Sequence, residues 1–201
     1  MTITAGMVKE LREATGAGIL DCRKALEAAE GDFQVAVDFL RERGLAQAAK
    51  RMDREASDGL IHAYIHGGGR IGVLVEVNCE TDFVARTEEF QTFVSDVSLQ
   101  IAAMAPSYVA RGDVPAEVLE HEKQVYRAQA LEEGKPEQVI DRIIEGRVEK
   151  FFQQVCLLEQ DFIRDEDVTM EELLKAQISK TGENIVIRRF SRYELGESLG
   201  E

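Results

Sequence analysis

The chain has 201 residues, and its 38 acidic side chains outnumber its 24 basic ones, giving a formal net charge of −14. This charge argues against binding to nucleic acid or to an anionic membrane surface, because both need clustered lysine and arginine. Apolar residues make up 44% of the chain, but no apolar run approaches the roughly 20 residues that span a bilayer. Residues 1–9 carry no secretory or transit pattern. A globular cytoplasmic protein of one or two domains is therefore expected.

The first 45 residues are predicted to form three short helices, with apolar residues at spacings of three and four. Thr4 and Asp32 are suited to cap the first and third helices, because their side-chain oxygens can accept from free backbone N–H groups. Gly31 and Gly44 are expected to end the second and third, since glycine adopts the left-handed conformation that follows many helices. Three helices joined by short turns make a small bundle, which we predict as the domain 1–45.

The apolar pattern changes from a helical period to a period of two after a polar, alanine-rich stretch, residues 46–58, which is predicted as a helical linker. Residues 71–78 alternate in polarity, which predicts a strand with one strongly apolar face. A weaker strand is expected over residues 60–66, and the three glycines at 67–69 are typical of a hairpin turn between the two. A third strand is predicted over residues 184–193.

Helices are predicted again between the second and third strands. The segment 88–104 has an apolar face, and Pro115 and Pro136 each stand near the start of a further, charged helix. The acidic stretch 161–172 is expected to be a solvated loop that leads into a short helix. The predicted fold class is therefore α+β, with a three-helix bundle followed by a core domain, residues 59–201, in which a three-stranded antiparallel sheet packs with helices.

The sequence lacks the patterns that support catalysis or metal binding. His62 and His66 fall on a predicted strand, where four residues span about 13 Å, so they cannot chelate one ion together. The three cysteines are an odd number without CxxC spacing, which indicates neither a disulfide framework nor a zinc site. The glycines at 16 and 18 follow a helix rather than a strand and lack the other residues of a phosphate-binding loop. We therefore expect a protein that is not an enzyme and needs no cofactor or metal.

The candidate that remains is the turn after the second strand, residues 78–86, which places an aspartate and a phenylalanine where glycine, serine or asparagine would suffice. In one interpretation, Asp82 caps backbone N–H groups of the turn and Phe83 packs onto the sheet. In the other, the turn presents an aromatic side chain and a carboxylate to a partner, as interaction hot spots often do. Spacing alone favours the first interpretation.

The same turn carries a sequence signature, Thr81-Asp82-Phe83-Val84-Ala85, that resembles elongation factor Ts, the family of guanine nucleotide exchange factors for elongation factor Tu. The resemblance covers nearly the whole chain, and its motifs occur in order, which makes chance similarity improbable. The other matching segments are residues 8–12, 15–18, 21–26, 76–79, 156–160, 182–185 and 188–190.

The resemblance implies a fold and a set of partner-binding residues. The family's N-terminal module is a three-helix bundle like ubiquitin-associated domains, and its core is a small antiparallel sheet flanked by helices. The phenylalanine of the turn wedges into the GTPase domain of elongation factor Tu near the nucleotide's magnesium, while the bundle grips another face of that domain. Carried over by position, the partner-binding residues are Thr81, Asp82, Phe83 and Val84 in the core and Val8, Leu11, Ile19 and Leu20 in the bundle. Ile19 and Leu20 stand where many members have two methionines.

Longer members of the family carry two related core halves and a helical-hairpin insertion, whereas this chain shows one sheet pattern and resembles the short form. A single half presents part of the contact surface, so the resemblance implies a homodimer that forms a two-to-two complex with elongation factor Tu. Contact with nucleic acid or a membrane is not expected. The alternative hypothesis is a non-catalytic adaptor that uses its helical bundle to bind a peptide or a ubiquitin-like partner.

Overall fold

The computed structural model describes residues 2–198 and confirms an α+β fold. Strands β1, β2 and β5 form an antiparallel sheet in the order β1-β2-β5, and β3 pairs with β4 in a separate hairpin. In chain order the elements are α1 (Ala5–Thr15), α2 (Ile19–Ala28), α3 (Phe33–Ala49), β1 (Asp58–His66), β2 (Ile71–Cys79), α4 (Asp82–Ala85), α5 (Glu88–Met104), α6 (Ala116–Glu132), α7 (Glu137–Val155), β3 (Asp161–Phe162), β4 (Asp165–Thr169), α8 (Met170–Thr181) and β5 (Ile185–Glu194).

The described residues divide into two compact units, each built from separate stretches of chain. Unit 1 comprises residues 2–59, 78–90 and 172–186, and unit 2 comprises residues 60–77, 91–171 and 187–198. Unit 1 therefore contains both the N-terminal helices and the turn that carries the signature.

Helices α1, α2 and α3 form the predicted bundle around a small apolar core in unit 1. The two predicted caps are confirmed: Thr4 Oγ1 accepts from Met7 N at 3.3 Å, and Asp32 Oδ1 accepts from Val35 N at 3.0 Å. The buried side chains of this core are Leu11, Cys22, Ala25, Leu26, Ala29 and Ala36. The likeness of this bundle to ubiquitin-associated domains stays a prediction.

Helix α3 continues to Ala49, so the prediction that it ends at Gly44 is wrong. A Cβ atom on Gly44 would lie 2.8 Å from Ser179 Oγ, closer than real contacts of this kind, so the missing side chain allows α3 and α8 to approach each other. The predicted helical linker is also wrong beyond Ala49, because residues 50–57 are not helical. Their backbone carbonyls instead find a non-local donor: Asn184 Nδ2 donates to the carbonyls of Met52 and Arg54.

The hairpin of β1 and β2 agrees with the prediction from alternating polarity. Its connecting glycines, residues 67–69, have φ of 61°, 68° and 91°, which side chains disfavour. On β2, Val73, Val75 and Val77 are buried, so the predicted apolar face lies in the core.

His62 and His66 both lie on β1, as expected. The Nδ1 atom of His62 lies 2.9 Å from Ser98 Oγ, which donates its hydrogen to the carbonyl of Val94 and therefore accepts one from the histidine.

Unit 2 contains the antiparallel helices α6 and α7, which bury an apolar seam between them, and Pro115 and Pro136 stand immediately before them, as predicted. The acidic stretch predicted as a loop is instead the β3–β4 hairpin, followed by α8. A side chain distant in sequence holds the backbone of this hairpin, because Gln100 of α5 donates to the carbonyl of Asp161 and accepts from the N–H of Ile163. Among residues 2–198, no helix has the length and apolar content needed to cross a membrane.

Candidate partner-binding site

The signature turn is a single tight helical turn, α4, that follows directly from the end of β2. Thr81 is extended, with φ −134° and ψ 155°, and its Oγ1 accepts from Val84 N at 3.4 Å, so Thr81 caps the turn. On the other side, Thr87 Oγ1 donates to the carbonyl of Val84 at 2.8 Å and accepts from Phe90 N at 3.2 Å. Hydroxyl groups thus fix the backbone at both ends of the turn.

Phe83 projects from this turn into solvent, with 80% of its surface exposed. The interpretation in which Phe83 packs onto the sheet is therefore wrong. Phe90, seven residues later on α5, is fully buried and fills the interior instead. Asp82 does not cap the turn either, because its Oδ2 pairs with Arg86 Nη2 at 2.8 Å and Thr81 provides the cap. The turn presents an aromatic side chain and a carboxylate to solvent, with Val84 half-buried beside them.

Buried groups support the turn from beneath. Ala85 is buried, and Cys79 Sγ donates to the carbonyl of Thr81 at 3.1 Å. Burial raises the pKa of the Cys79 thiol to about 11, and the nearby carboxylate of Glu183 adds to the effect, because both disfavour a thiolate. The thiol therefore stays protonated at neutral pH. Cys22 and Cys156 are also buried and carry free thiols.

The four candidate residues of the bundle do not share one environment. Ile19 and Leu20 begin α2 and are exposed over 57% and 72% of their surfaces. Val8 is half-buried, whereas Leu11 is fully buried in the bundle core. Leu11 presents no surface for a direct contact, because its position on the inner face of α1 places it against the other helices, and its part in partner binding stays a prediction. A groove of about 410 Å³ is lined by Ile3, Thr4, Ala5, Val8, Lys9, Arg12, Ile19 and Arg23.

Two carboxylates near the turn were not predicted as site residues. Glu183 accepts from the backbone N–H groups of Glu80 and Thr81, and Glu80 accepts from the backbone N–H of Asn184. The family motif at residues 182–185 contains Glu183 and so pointed to this residue. Because the motif lies about one hundred residues from the turn, the sequence did not show that the two are in contact. In the part of the chain that the structure describes, no three histidine, cysteine, aspartate or glutamate side chains are grouped to hold a metal ion.

Comparison with known proteins gives one consistent family. Residues 32–197 match the family model described as Elongation factor TS. The Elongation factor Ts of Caldanaerobacter subterraneus is 63% identical over 197 residues, which cover 98% of this chain and 98% of that protein. The Elongation factor Ts of Carboxydothermus hydrogenoformans is 60% identical over 199 residues, 99% of this chain and 92% of that protein. That of Moorella thermoacetica is 61% identical over 197 residues, 98% of this chain and 97% of the relative.

Proposed function

The chain belongs to the elongation factor Ts family, and from this premise we propose that it binds elongation factor Tu in its GDP-bound form and promotes GDP release during translation elongation. Exchange of this kind makes and breaks no covalent bond. The factor has to bind the nucleotide-free GTPase more tightly than the nucleotide-bound one, and by linkage the nucleotide weakens the factor's binding by the same ratio. The cytoplasm is where such a factor acts.

The observation that carries this proposal is the exposure of Phe83 on a turn whose backbone is held at both ends. Phe83 inserts into the GTPase domain near the nucleotide's magnesium and displaces groups that support the metal and phosphates. Asp82 presents its carboxylate from the same turn, and Thr81 and Val84 flank the two. A fixed backbone favours this role, because little conformational freedom is left to lose when the partner binds.

The turn does not supply enough interaction energy to act alone. Weakening a complex ten-thousand-fold corresponds to about 5.5 kcal/mol of differential interaction. Burying one phenylalanine contributes about 1.5–3 kcal/mol. The remainder has to come from Asp82, from the disturbed magnesium ligands and from the bundle, where Ile19 and Leu20 provide exposed apolar surface next to Val8.

We also propose that two copies of the chain associate, giving a two-to-two complex with elongation factor Tu. The surface that fits is the outer face of β1 and β2 in unit 2, where Ile61, Ile65 and Leu74 are each at least half exposed. They share this face with Gly72, over which Ile65 lies, since a Cβ there would meet Ile65 Cδ1 at 3.4 Å. An isologous dimer would pair this apolar patch with its own copy. Light scattering should then report a dimer for the wild type and a monomer for Leu74→Asp; a monomeric wild type would refute the dimer.

The exchange proposal is tested by release of fluorescent GDP from elongation factor Tu. Phe83→Ala should slow the accelerated release by about tenfold or more, the loss that corresponds to removing a buried aromatic contact. The free energy of unfolding of the Phe83→Ala protein should hardly change, because the Phe83 side chain is exposed. Leu131→Ala, which truncates an exposed apolar residue on α6, is the matched control and should exchange as the wild type does. Normal exchange by Phe83→Ala would overturn the role of the turn.

The adaptor hypothesis gives a different result in the same assay. An adaptor that uses the groove between α1 and α2 would bind its partner and leave the rate of GDP release unchanged. Wild-type protein that fails to accelerate release, while a pull-down recovers a heterogeneous set of partners, would favour the adaptor over the exchange factor.

A further inference from the structure

Two glutamates of unit 1 bind each other's neighbouring backbone in a reciprocal arrangement, here called the Glu80–Glu183 clasp. Glu183 Oε2 accepts from Glu80 N at 3.1 Å and from Thr81 N at 3.0 Å, and its Oε1 accepts from Thr81 Oγ1 at 2.6 Å. In return, Glu80 Oε1 accepts from Asn184 N at 2.6 Å. Each carboxylate thus holds the chain next to the other one, although the two lie about one hundred residues apart in sequence.

The clasp determines the orientation of the cap. The Thr81 hydroxyl has one hydrogen, and donating it to Glu183 turns the oxygen's lone pairs toward the N–H of Val84. One carboxylate therefore satisfies the N–H groups of Glu80 and Thr81, which precede α4, and it orients the Thr81 hydroxyl that accepts from Val84, the third residue of the helix. Bonds to a charged acceptor are stronger than those between neutral groups, so the three bonds to Glu183 are a strong polar restraint on this end of the turn.

The clasp is itself anchored to a third segment. The side chain of Asn184 is almost completely buried and donates to the carbonyls of Met52 and Arg54 at 3.1 and 2.6 Å. Arg54 Nη1 lies 3.4 Å from Glu80 Oε1, so the cation partly compensates the second carboxylate of the clasp. The stretch 182–184 is therefore fixed from two sides and gives Glu183 a defined position from which to hold the turn.

We infer that Glu183 is a positioning residue for nucleotide exchange: its carboxylate holds the turn of Thr81 and α4 in the orientation that presents Phe83 and Asp82 to the partner. This inference depends on the proposed function of Phe83. Glu183 is half-buried and acts through the turn, so its removal should affect exchange much less once Phe83 is absent.

A double-mutant cycle in the GDP-release assay tests this dependence. Glu183→Ala should reduce the accelerated release by about tenfold, the loss expected when bonds to a charged acceptor are removed. In the Phe83→Ala background the same substitution should reduce it less than about twofold, because coupled residues are not additive. Equal losses in both backgrounds would overturn the inference and leave the proposed function intact. Normal exchange by Phe83→Ala alone would overturn the proposed function instead.

Conservative variants separate positioning from general stability. Glu183→Gln keeps one carbonyl acceptor for the two N–H groups but cannot accept from the Thr81 hydroxyl on its amide nitrogen, so its exchange rate should lie between those of the wild type and Glu183→Ala. Glu120→Gln removes a carboxylate that pairs with Lys123 on the surface of α6, and it should exchange as the wild type does. A loss by Glu120→Gln equal to that by Glu183→Gln would show an effect of net charge and refute positioning.

Hydrogen exchange of the full chain reports the clasp directly. In Glu183→Ala the backbone amides of Glu80, Thr81 and Val84 should exchange at least tenfold faster, whereas amides inside α6 should keep wild-type protection. Unchanged protection at residues 80–84 would show that other contacts hold the turn, and it would refute the inference. Faster exchange throughout unit 1 would do the same, because it would assign Glu183 to the stability of the unit.

Discussion

The signature turn and the start of α2 both expose large apolar side chains, but they are supported in different ways. The turn that carries Phe83 is held by hydrogen bonds that involve a carboxylate, hydroxyl groups and a thiol. The helix that carries Ile19 and Leu20 instead packs on a small apolar core of leucine, cysteine and alanine. The turn therefore depends on a few directional polar bonds, whereas the α2 surface depends on packing. A substitution should therefore be able to remove the partner-binding role of the signature turn and leave the α2 surface unchanged, or the reverse.

Two phenylalanines seven residues apart, the exposed Phe83 and the buried Phe90, separate a binding role from a packing role most strongly. Phe90→Ala removes a fully buried ring and should lower the free energy of unfolding by about 3–5 kcal/mol. Phe83→Ala should lower it by less than about 0.5 kcal/mol, because the ring already contacts water. Urea unfolding followed by circular dichroism measures both. Similar losses in the two variants would mean that Phe83 stabilises the fold and would remove the argument for its role in binding.

Leucines of α2 provide the corresponding pair in the bundle. Leu26→Ala leaves a cavity in the bundle core and should cost about 2–5 kcal/mol of stability, whereas Leu20→Ala on the surface should cost less than about 0.5 kcal/mol. Calorimetry should show the first loss, and titration with elongation factor Tu should show weakened binding for Leu20→Ala. If Leu20→Ala binds the partner with wild-type affinity, this surface of α2 is not part of the contact.

Gly44 tests the packing of α3 against α8 in the same unit. Gly44→Ala places a Cβ where 2.8 Å remains to Ser179 Oγ, which should cost about 1–2 kcal/mol in spite of alanine's better helix propensity. Adding Ser179→Ala removes the clashing oxygen and should restore the thermal midpoint. A Gly44→Ala protein that is more stable than the wild type would show that helix propensity outweighs this contact.

The buried thiol of Cys79 makes the stability of the protein depend weakly on pH. The pKa of Cys79 rises from 9.0 to about 11, so the folded protein keeps a proton that the unfolded chain loses between these values. The stabilisation is complete below pH 9 and is lost as the pH rises toward 11, with about 1 kcal/mol lost near pH 10. Cys79→Ala should therefore lose less stability than the wild type between pH 8 and pH 10 in urea titrations. Equal slopes for the two proteins would contradict a protonated Cys79.

Local sequence patterns predicted most of the regular structure. Caps at Thr4 and Asp32, the glycine turn at residues 67–69 and the alternation along β2 are all confirmed, because each depends on neighbours within a few residues. The errors occur where a distant residue decides the outcome. Gly44 lies inside α3 at the point where Ser179 of α8 leaves little room for a side chain, and the acidic stretch forms a hairpin whose backbone bonds to Gln100.

Short ordered motifs and the period of the apolar residues were sufficient to predict the family, the α+β class and the location of the signature turn. The exposure of Phe83 and the burial of Phe90 and Leu11 became visible in the folded chain alone, since exposure depends on what the rest of the chain covers. The folded chain alone also identified Glu183 as the partner of the turn. A hydrogen bond between residues about one hundred positions apart leaves no periodic trace in sequence, and it forms only when folding brings the two segments together.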